Sequence, residues 1–150
     1  MGKTEKTRQQ LRDLFAAQYL AVLSTHGDGQ PYASLVAFTA SDDLKALYFA
    51  TARSTRKFAN MTAHPPVAML IDSRTNRTAD FHEAVAATAT GTAEEIPEAE
   101  RGPIQARYLE KHPHLVDFVT APTCALVRIK VDCYYLVSRF QDVVELHITH

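Results

Sequence analysis

Residues 48–66 read YFATARSTRKFANMTAHPP, and the change of periodicity inside them sets how the rest of the chain is arranged. Tyr48, Phe49 and Thr51 favour a pleated, half-buried surface and predict a strand. A helix follows. Thr51, Ser54 and Thr55 put hydroxyls where a helix takes its N-cap oxygen, Phe58, Met61 and Thr62 recur at helical spacing, and Pro65 and Pro66 stop it. Arg53, Arg56 and Lys57 crowd cations onto the electropositive end of that helix, where each loses about 0.3 to 1 kcal/mol against the macrodipole. A bound anion reverses the balance. A phosphate gripped by free helix N–H groups, hydroxyls and two basic side chains gains charge-assisted hydrogen bonds of about 1.5 to 3 kcal/mol each. On local sequence alone the same cations read equally as a solvated surface. Neither a Walker loop nor a GxGxxG fingerprint occurs, so the ligand expected here is phosphorylated without being restricted to a nucleoside triphosphate or a dinucleotide.

Upstream of this stretch, residues 20–25 and 31–39 read as two strands around HGDGQP, whose Gly27, Asp28 and Gly29 tolerate the positive φ of a hairpin turn. A short loop over residues 40–45 leads to the third strand, residues 46–51. Connections this short allow only an antiparallel meander, because parallel neighbours need a crossover of about a dozen residues or more. Residues 3–19 predict an amphipathic helix, with Leu11, Leu14, Phe15 and Gln18 or Tyr19 on one face, that covers an end of the β structure.

Downstream, residues 67–72 form a nearly continuous apolar strand and residues 73–83 a long polar loop. Residues 84–94 are a strand of small side chains in which Gly91 marks a bulge or a close backbone approach. Pro97, Glu98 and Glu100 open a helix that runs to about residue 111, and residues 112–119 predict a shorter one. Residues 125–137 alternate apolar and polar over their whole length, the clearest β signal in the chain, and residues 143–148 close it as a short strand. The pattern predicts a mainly β, antiparallel small barrel with flanking helices in one domain, residues 1–150.

The composition agrees and narrows the function. A chain of 150 residues is long enough for a real core. Sixteen basic against seventeen acidic residues, a formal net charge of −1, argue against nucleic acid as a partner, so anion recognition has to be local. No stretch is apolar enough to span a membrane and no leader pattern opens the chain, which predicts a cytoplasmic protein. Cys124 and Cys133 lie in apolar strands and read as small buried hydrophobes. His112, His114, His147 and His150 could ligate haem or a metal, but in polar context they read as surface residues, and no metal is expected. Asp42, Asp43, Glu94 and Glu95 read as solvated charges at loops and strand ends, and Asn60 as solvent-facing.

FATARSTRK, followed by an amphipathic helix and then HPPVAMLID, resembles the phosphate-binding segment of the pyridoxamine 5'-phosphate oxidase-like family, the FMN-binding split β-barrels. PYASLVAF, VAATATGTAEEI and ALVRIKVDCYYLVSRF occur in the order that family shows, so the resemblance covers most of the chain after residue 18. It implies a six-stranded antiparallel split β-barrel with flanking helices, paired as a homodimer with FMN across the interface. Arg56 and Lys57 then match the basic pair on the FMN phosphate, with Thr51, Ser54 and Thr55 supplying hydroxyls. Ser34, Leu35 and Val36 match the strand whose backbone faces the isoalloxazine ring, a run that also reads as an ordinary half-buried strand. Tyr135 and Arg139 stand where the family places an aromatic and a basic residue near the flavin, although Tyr135 reads equally as a plain strand aromatic. Asp72, Ser73, Arg74 and Asn76 are weaker candidates for the ring edge in a partner subunit.

The resemblance stops at the C-terminal Arg-and-His segment of true pyridoxamine phosphate oxidases, since this chain reads SRFQDVVELHITH there. The expected activity is therefore an FMN-dependent oxidation or reduction of an unidentified small molecule, not the vitamin B6 reaction, and no general acid or base can be named. The alternative is a non-catalytic flavin or haem carrier on the same barrel. A deazaflavin makes similar demands on the site.

Overall fold

The computed structural model describes residues 2–139 and 142–150. Helix α1 (Lys3–Ala17) leads into β1 (Leu20–Gly27), β2 (Gln30–Ala40) and β3 (Ala46–Ala52), the expected meander. Helix α2 (Arg56–Ala63) precedes β4 (Pro66–Asp72), a single-turn helix α3 (Asp80–Glu83) and β5 (Ala86–Glu95). After α4 (Glu98–Lys111) come a 3-10 turn (Pro113–Leu115), α5 (Val116–Thr120), the long β6 (Cys124–Ser138) and β7 (Asp142–His147).

All the strand pairings are antiparallel, in the order β3-β2-β1-β4-β5-β6-β7, and the sheet curls until β3 meets β6 from Ala46 opposite Lys130 to Ala52 opposite Cys124. That contact closes a six-stranded barrel and leaves β7 as an edge strand outside it. Closure pairs the β3 edge that an open sheet would expose, and the short β7 keeps the other. At Gly91 the register with β6 shifts, and a Cβ there would collide with the Lys130 carbonyl, so the glycine serves both of its expected purposes, bulge and close approach.

Alternate residues of each strand fill the barrel: Leu23, Phe38, Phe49, Met69, Ile71, Ala89, Val127 and Ile129 are completely buried. Leu11, Leu14 and Phe15 of α1 seal one end, with Phe15 edge-on to Phe38 at 6.0 Å. Tyr108 of α4 seals a second cluster with Tyr48, Ile96, Val119 and Leu126, and its hydroxyl donates to the Ala37 carbonyl at 2.8 Å. Tyr134 donates to the carbonyl of Leu44, a residue with positive φ, at 2.7 Å. Burial holds both phenols protonated far above the usual range.

The structure departs from the sequence reading in four places. The first helix ends at Ala17 and leaves Tyr19 62% exposed, so Tyr19 is not on its buried face. The polar loop contains α3, because the Asp80 carboxylate collects the backbone N–H groups of Thr75, Asn76 and Arg77. The Thr75 hydroxyl, which donates to the same carboxylate at 2.8 Å, and then these backbone groups hold the Asp80 carboxyl below its ordinary pKa. His112 is 1% exposed, not a surface residue; its Nε2 lies 2.7 Å from the Phe38 carbonyl oxygen and its ring 4.9 Å from that of Tyr108. Asn60 is also buried, because its amide donates to Thr25 Oγ1 at 3.1 Å and ties α2 to β1.

Candidate functional site

Helix α2 starts where the sequence places it because Thr55 caps it: the Thr55 hydroxyl accepts the Phe58 N–H at 3.3 Å, donates to the Ala52 carbonyl at 2.9 Å and touches Thr51 Oγ1 at 2.9 Å. Thr51 and Thr55 therefore brace the turn first. Their side chains reach a ligand only by exchanging one of these bonds. Ser54 is exposed in the same turn. The N–H groups of the first helical turn that Thr55 does not take up point out of the helix end without an intrahelical acceptor.

The three cations separate. Arg53 turns away and forms a fork with Glu95, 2.7 Å and 3.3 Å, with a third bond to the Pro122 carbonyl at 2.8 Å. The Glu95 carboxylate raises the Arg53 pKa further, and the cation is already satisfied. Arg56 and Lys57 have no hydrogen bond or ion pair within the described residues, although the loop and strands nearby are not short of acceptors. Two unpaired cations on the positive end of a helix are an unfavourable arrangement in a chain that could have paired them.

Strands β2 and β3 are hydrogen-bonded only from Phe38 opposite Phe49 to Ala40 opposite Leu47. Beyond that, β2 runs through Val36, Leu35 and Ser34 alongside β1, while β3 runs through Thr51 alongside β6. Continued by two residues, the register would set Val36 against Thr51. The ladder stops short of that pair, so Ser34–Val36 lie on the stretch of β2 that β3 does not cover. In this region Ser34 Oγ is buried and is the one such side-chain atom, among the described residues, without a hydrogen-bond partner. An orphaned buried hydroxyl costs about 1 to 3 kcal/mol, which a ligand or a second chain would recover.

On the outer surface, Leu35 lies in a row with Val22, Leu70, Thr88 and Tyr135, each the cross-strand partner of the next. The next row is Ala33, Ser24, Ala68, Thr90 and Cys133. Neither contains a charge, yet Leu35 is 62% exposed. A cleft of about 310 Å³ opens on this face, lined by Tyr19, Leu20, Leu35, Asp72 and Arg74 among others. Its size is at the lower limit of small-molecule sites, about 300 to 1,000 Å³.

The candidates consequently fall into separate groups. Thr51, Ser54, Thr55, Arg56 and Lys57 share the turn into α2, Ser34, Leu35 and Val36 lie on β2 beyond the end of its ladder with β3, and Leu35 lines one cleft with Asp72 and Arg74, whose side chains form an ion pair at 3.0 Å. Ser73 is tied to the loop base, its hydroxyl accepting the Val85 N–H at 2.9 Å. Asn76 has positive φ in the α3 loop. Tyr135 does not join them within one chain. It lies in the same outer row as Leu35 but four strands on along the sheet, and ten residues along β6 from Ala125, the residue opposite Thr51. Arg139 is exposed, with φ of 50°, where β6 leaves the sheet.

Sequence reasoning missed Lys111. Its ammonium donates to the Phe15 carbonyl at 2.8 Å and sits 4.0 Å from the Phe38 ring centre, and burial, with Arg107 nearby, pushes its pKa down to about 8. A lysine ending a helix reads as solvated in any sequence, so no local signal could have found it.

The sequence matches the family model described as Pyridoxamine 5'-phosphate oxidase over residues 7–138. No curated protein matches it. Solved structures with similar folds include a heme binding protein from Mycobacterium smegmatis, with a TM-score of 0.84 and 15% identity over 98% of this chain and 59% of that one. General Stress Protein 26 from Bacillus anthracis gives 0.74 and 20%, covering 95% of this chain and 98% of the other. A FAD-binding protein from Mesorhizobium loti gives 0.70 and 20%, covering 85% and 90%. This chain thus spans less than two thirds of the mycobacterial protein, and at these identities the likeness shows the fold alone. No helix among the described residues is long and apolar enough to cross a membrane.

Proposed function

The chain belongs to the pyridoxamine 5'-phosphate oxidase family, and from that premise we propose that it is a homodimeric flavoprotein that binds FMN and oxidises or reduces a small molecule. The observation that carries this reading is the unpaired Arg56–Lys57 couple at the α2 N-terminus, which follows β3 beyond the end of its ladder with β2. Arg56 and Lys57 hold the phosphate together with the free N–H groups of the first helical turn, and Ser54 supplies a hydroxyl. Ser34–Val36 lie along the ring, where the Ser34 hydroxyl finds the partner that it lacks in the isolated chain. FMN, when bound, supplies a reversible hydride acceptor at its ring; the chain anchors, orients and shields it.

The homodimer is supported by the uncharged outer rows. A half-exposed sheet face carrying Leu35, Val22 and Leu70 has the depletion of charge expected at the centre of an interface. Tyr135, ten residues along β6 from the residue opposite Thr51, is assigned in this reading to the flavin of the second copy. Localisation in the cytoplasm is part of the same proposal.

The test is direct. The protein purified from a flavin-replete host should be yellow, release a compound with the mass of FMN, and sediment as a dimer. Reconstituted protein should oxidise a reduced nicotinamide, or reduce an acceptor, faster than free FMN. Turnover equal to that of free FMN would turn the reading towards a flavin carrier, a haem Soret band without flavin absorbance towards haem handling, and a released deazaflavin towards that coenzyme.

A further inference from the structure

Strands β6 and β7 pair with Cys133 directly opposite His147 and Tyr135 opposite Glu145. Side chains two apart on a strand share a face, so the Cys133 thiol, the His147 imidazole and the Glu145 carboxylate converge on the outer side of the sheet. Their ligand atoms all lie within 4.8 Å of one another, and His147 Nε2 is 3.2 Å from Glu145 Oε2. The surroundings differ in a useful way. Cys133 is 4% exposed, while the His147 and Glu145 side chains on the edge strand are open to solvent. The Tyr135 hydroxyl lies beside the thiol.

We propose that Cys133, Glu145 and His147 form a binding site for a divalent cation of the zinc class. A thiolate excludes magnesium and calcium as the preferred guest, and the sulfur, nitrogen and oxygen donors together match the ligand set of a borderline-soft ion. Tetrahedral zinc spaces such donors about 3.3 to 3.6 Å apart. The present spacing, within 4.8 Å, is wider than that, and the ligands that would close it are the exposed His147 and Glu145 side chains. Three protein ligands leave a fourth position open towards solvent on the β7 side, an arrangement that binds an exchangeable ligand and is not a closed structural site. Metal binding would displace the thiol proton to solvent. The site uses none of the residues at the α2 turn, but Cys133 ends an outer row of the proposed dimer face, so metal uptake and flavin retention have to be measured separately.

The experiment is cobalt titration of chelator-treated, full-length protein. Wild type should take up one Co²⁺ per chain with a thiolate-to-cobalt absorption in the near ultraviolet, and Zn²⁺ should displace it. Cys133→Ser, which keeps the side-chain shape, should lose that absorption and weaken Zn²⁺ binding at least about 10-fold; His147→Ala should weaken it similarly, with circular dichroism unchanged in both. Cys124→Ser, on the buried thiol at the other end of β6, should alter neither reading. Failure of wild type to show the thiolate absorption, or its survival in Cys133→Ser, overturns the proposal. FMN retention is measured on the same samples, so loss of the metal site and loss of the flavin site are read separately.

Discussion

The cations around α4 and β6 and those at the start of α2 are the same residue types in opposite circumstances. Arg101 donates to the carbonyls of Val119 at 2.6 Å and Cys124 at 3.1 Å and to Gln105 Oε1 at 2.9 Å. Arg107 binds the Ala40 carbonyl and Asp42, each at 2.8 Å, and holds the Asp42 carboxyl below its usual range. Arg128 bridges Glu94 and Glu100 at 3.0 Å each. Among the described residues the Arg56 and Lys57 side chains have no such acceptors. A guanidinium that staples elements together is saturated by its own chain. One left unsaturated, and placed against a helix dipole, is what the proposed phosphate would saturate.

Four experiments break or sharpen this contrast, in decreasing order of effect. Replacing Arg56 and Lys57 together by Ala removes two charge-assisted contacts of about 1.5 to 3 kcal/mol each, so FMN affinity should fall by about 10²- to 10⁴-fold while the urea midpoint stays unchanged. Quenching of flavin fluorescence reads the first and circular dichroism the second; equal FMN affinity would erase the contrast. Arg101→Met should do the reverse, destabilising the fold by about 2 to 3 kcal/mol in urea, because two carbonyls at the α5–β6 junction lose a charged donor, with FMN affinity untouched.

The third experiment concerns the buried ring beside Lys111. Burial, followed by the Lys111 and His114 charges, lowers the His112 pKa, and only the Phe38 carbonyl opposes them. The unfolded chain then binds the proton more readily than the native one. The stability contribution of neutral His112 is therefore intact above about pH 6.5 and is eroded as the pH falls through 6.5 towards the lower native value, with a slope of at most about 1.4 kcal/mol per pH unit. His112→Gln should flatten that slope between about pH 7 and 5 in urea titrations. The smallest effect is expected at Arg53. Its ion pair with Glu95 is about 40% exposed on each side, so Arg53→Met should cost no more than about 1 kcal/mol and leave FMN affinity unchanged, although Arg53 lies in the same cationic run.

That last case shows where reading the sequence stops. Strand alternation made β6 plain, the turn residues of HGDGQP made the first hairpin plain, and Thr55 with Pro65 and Pro66 bounded α2 to within a few residues. The strand pattern predicts a small barrel but not which strands close it, because β3 and β6 meet across more than seventy residues and neither pattern names its partner. The resemblance to a known family agrees on the barrel and adds the count of six strands. Likewise three cations in one run looked equivalent, yet Arg53 is taken up by Glu95, a residue forty-two positions away whose carboxylate had read as plain solvation. His112 and Asn60 had read as exposed because local polarity says nothing about which element later covers a side chain. Ser34 carried the opposite problem: its orphaned hydroxyl is visible only once the neighbours that could have bonded it are in place.

The central claim is that the α2 turn recognises a phosphate, and comparing FMN with riboflavin tests it without altering the fold. The two share the ring and differ in that group alone. Wild-type protein should bind FMN at least about 100-fold more tightly than riboflavin at moderate salt, and the preference should collapse in the Arg56→Ala/Lys57→Ala variant. Equal affinity of the wild type for FMN and riboflavin would contradict the account.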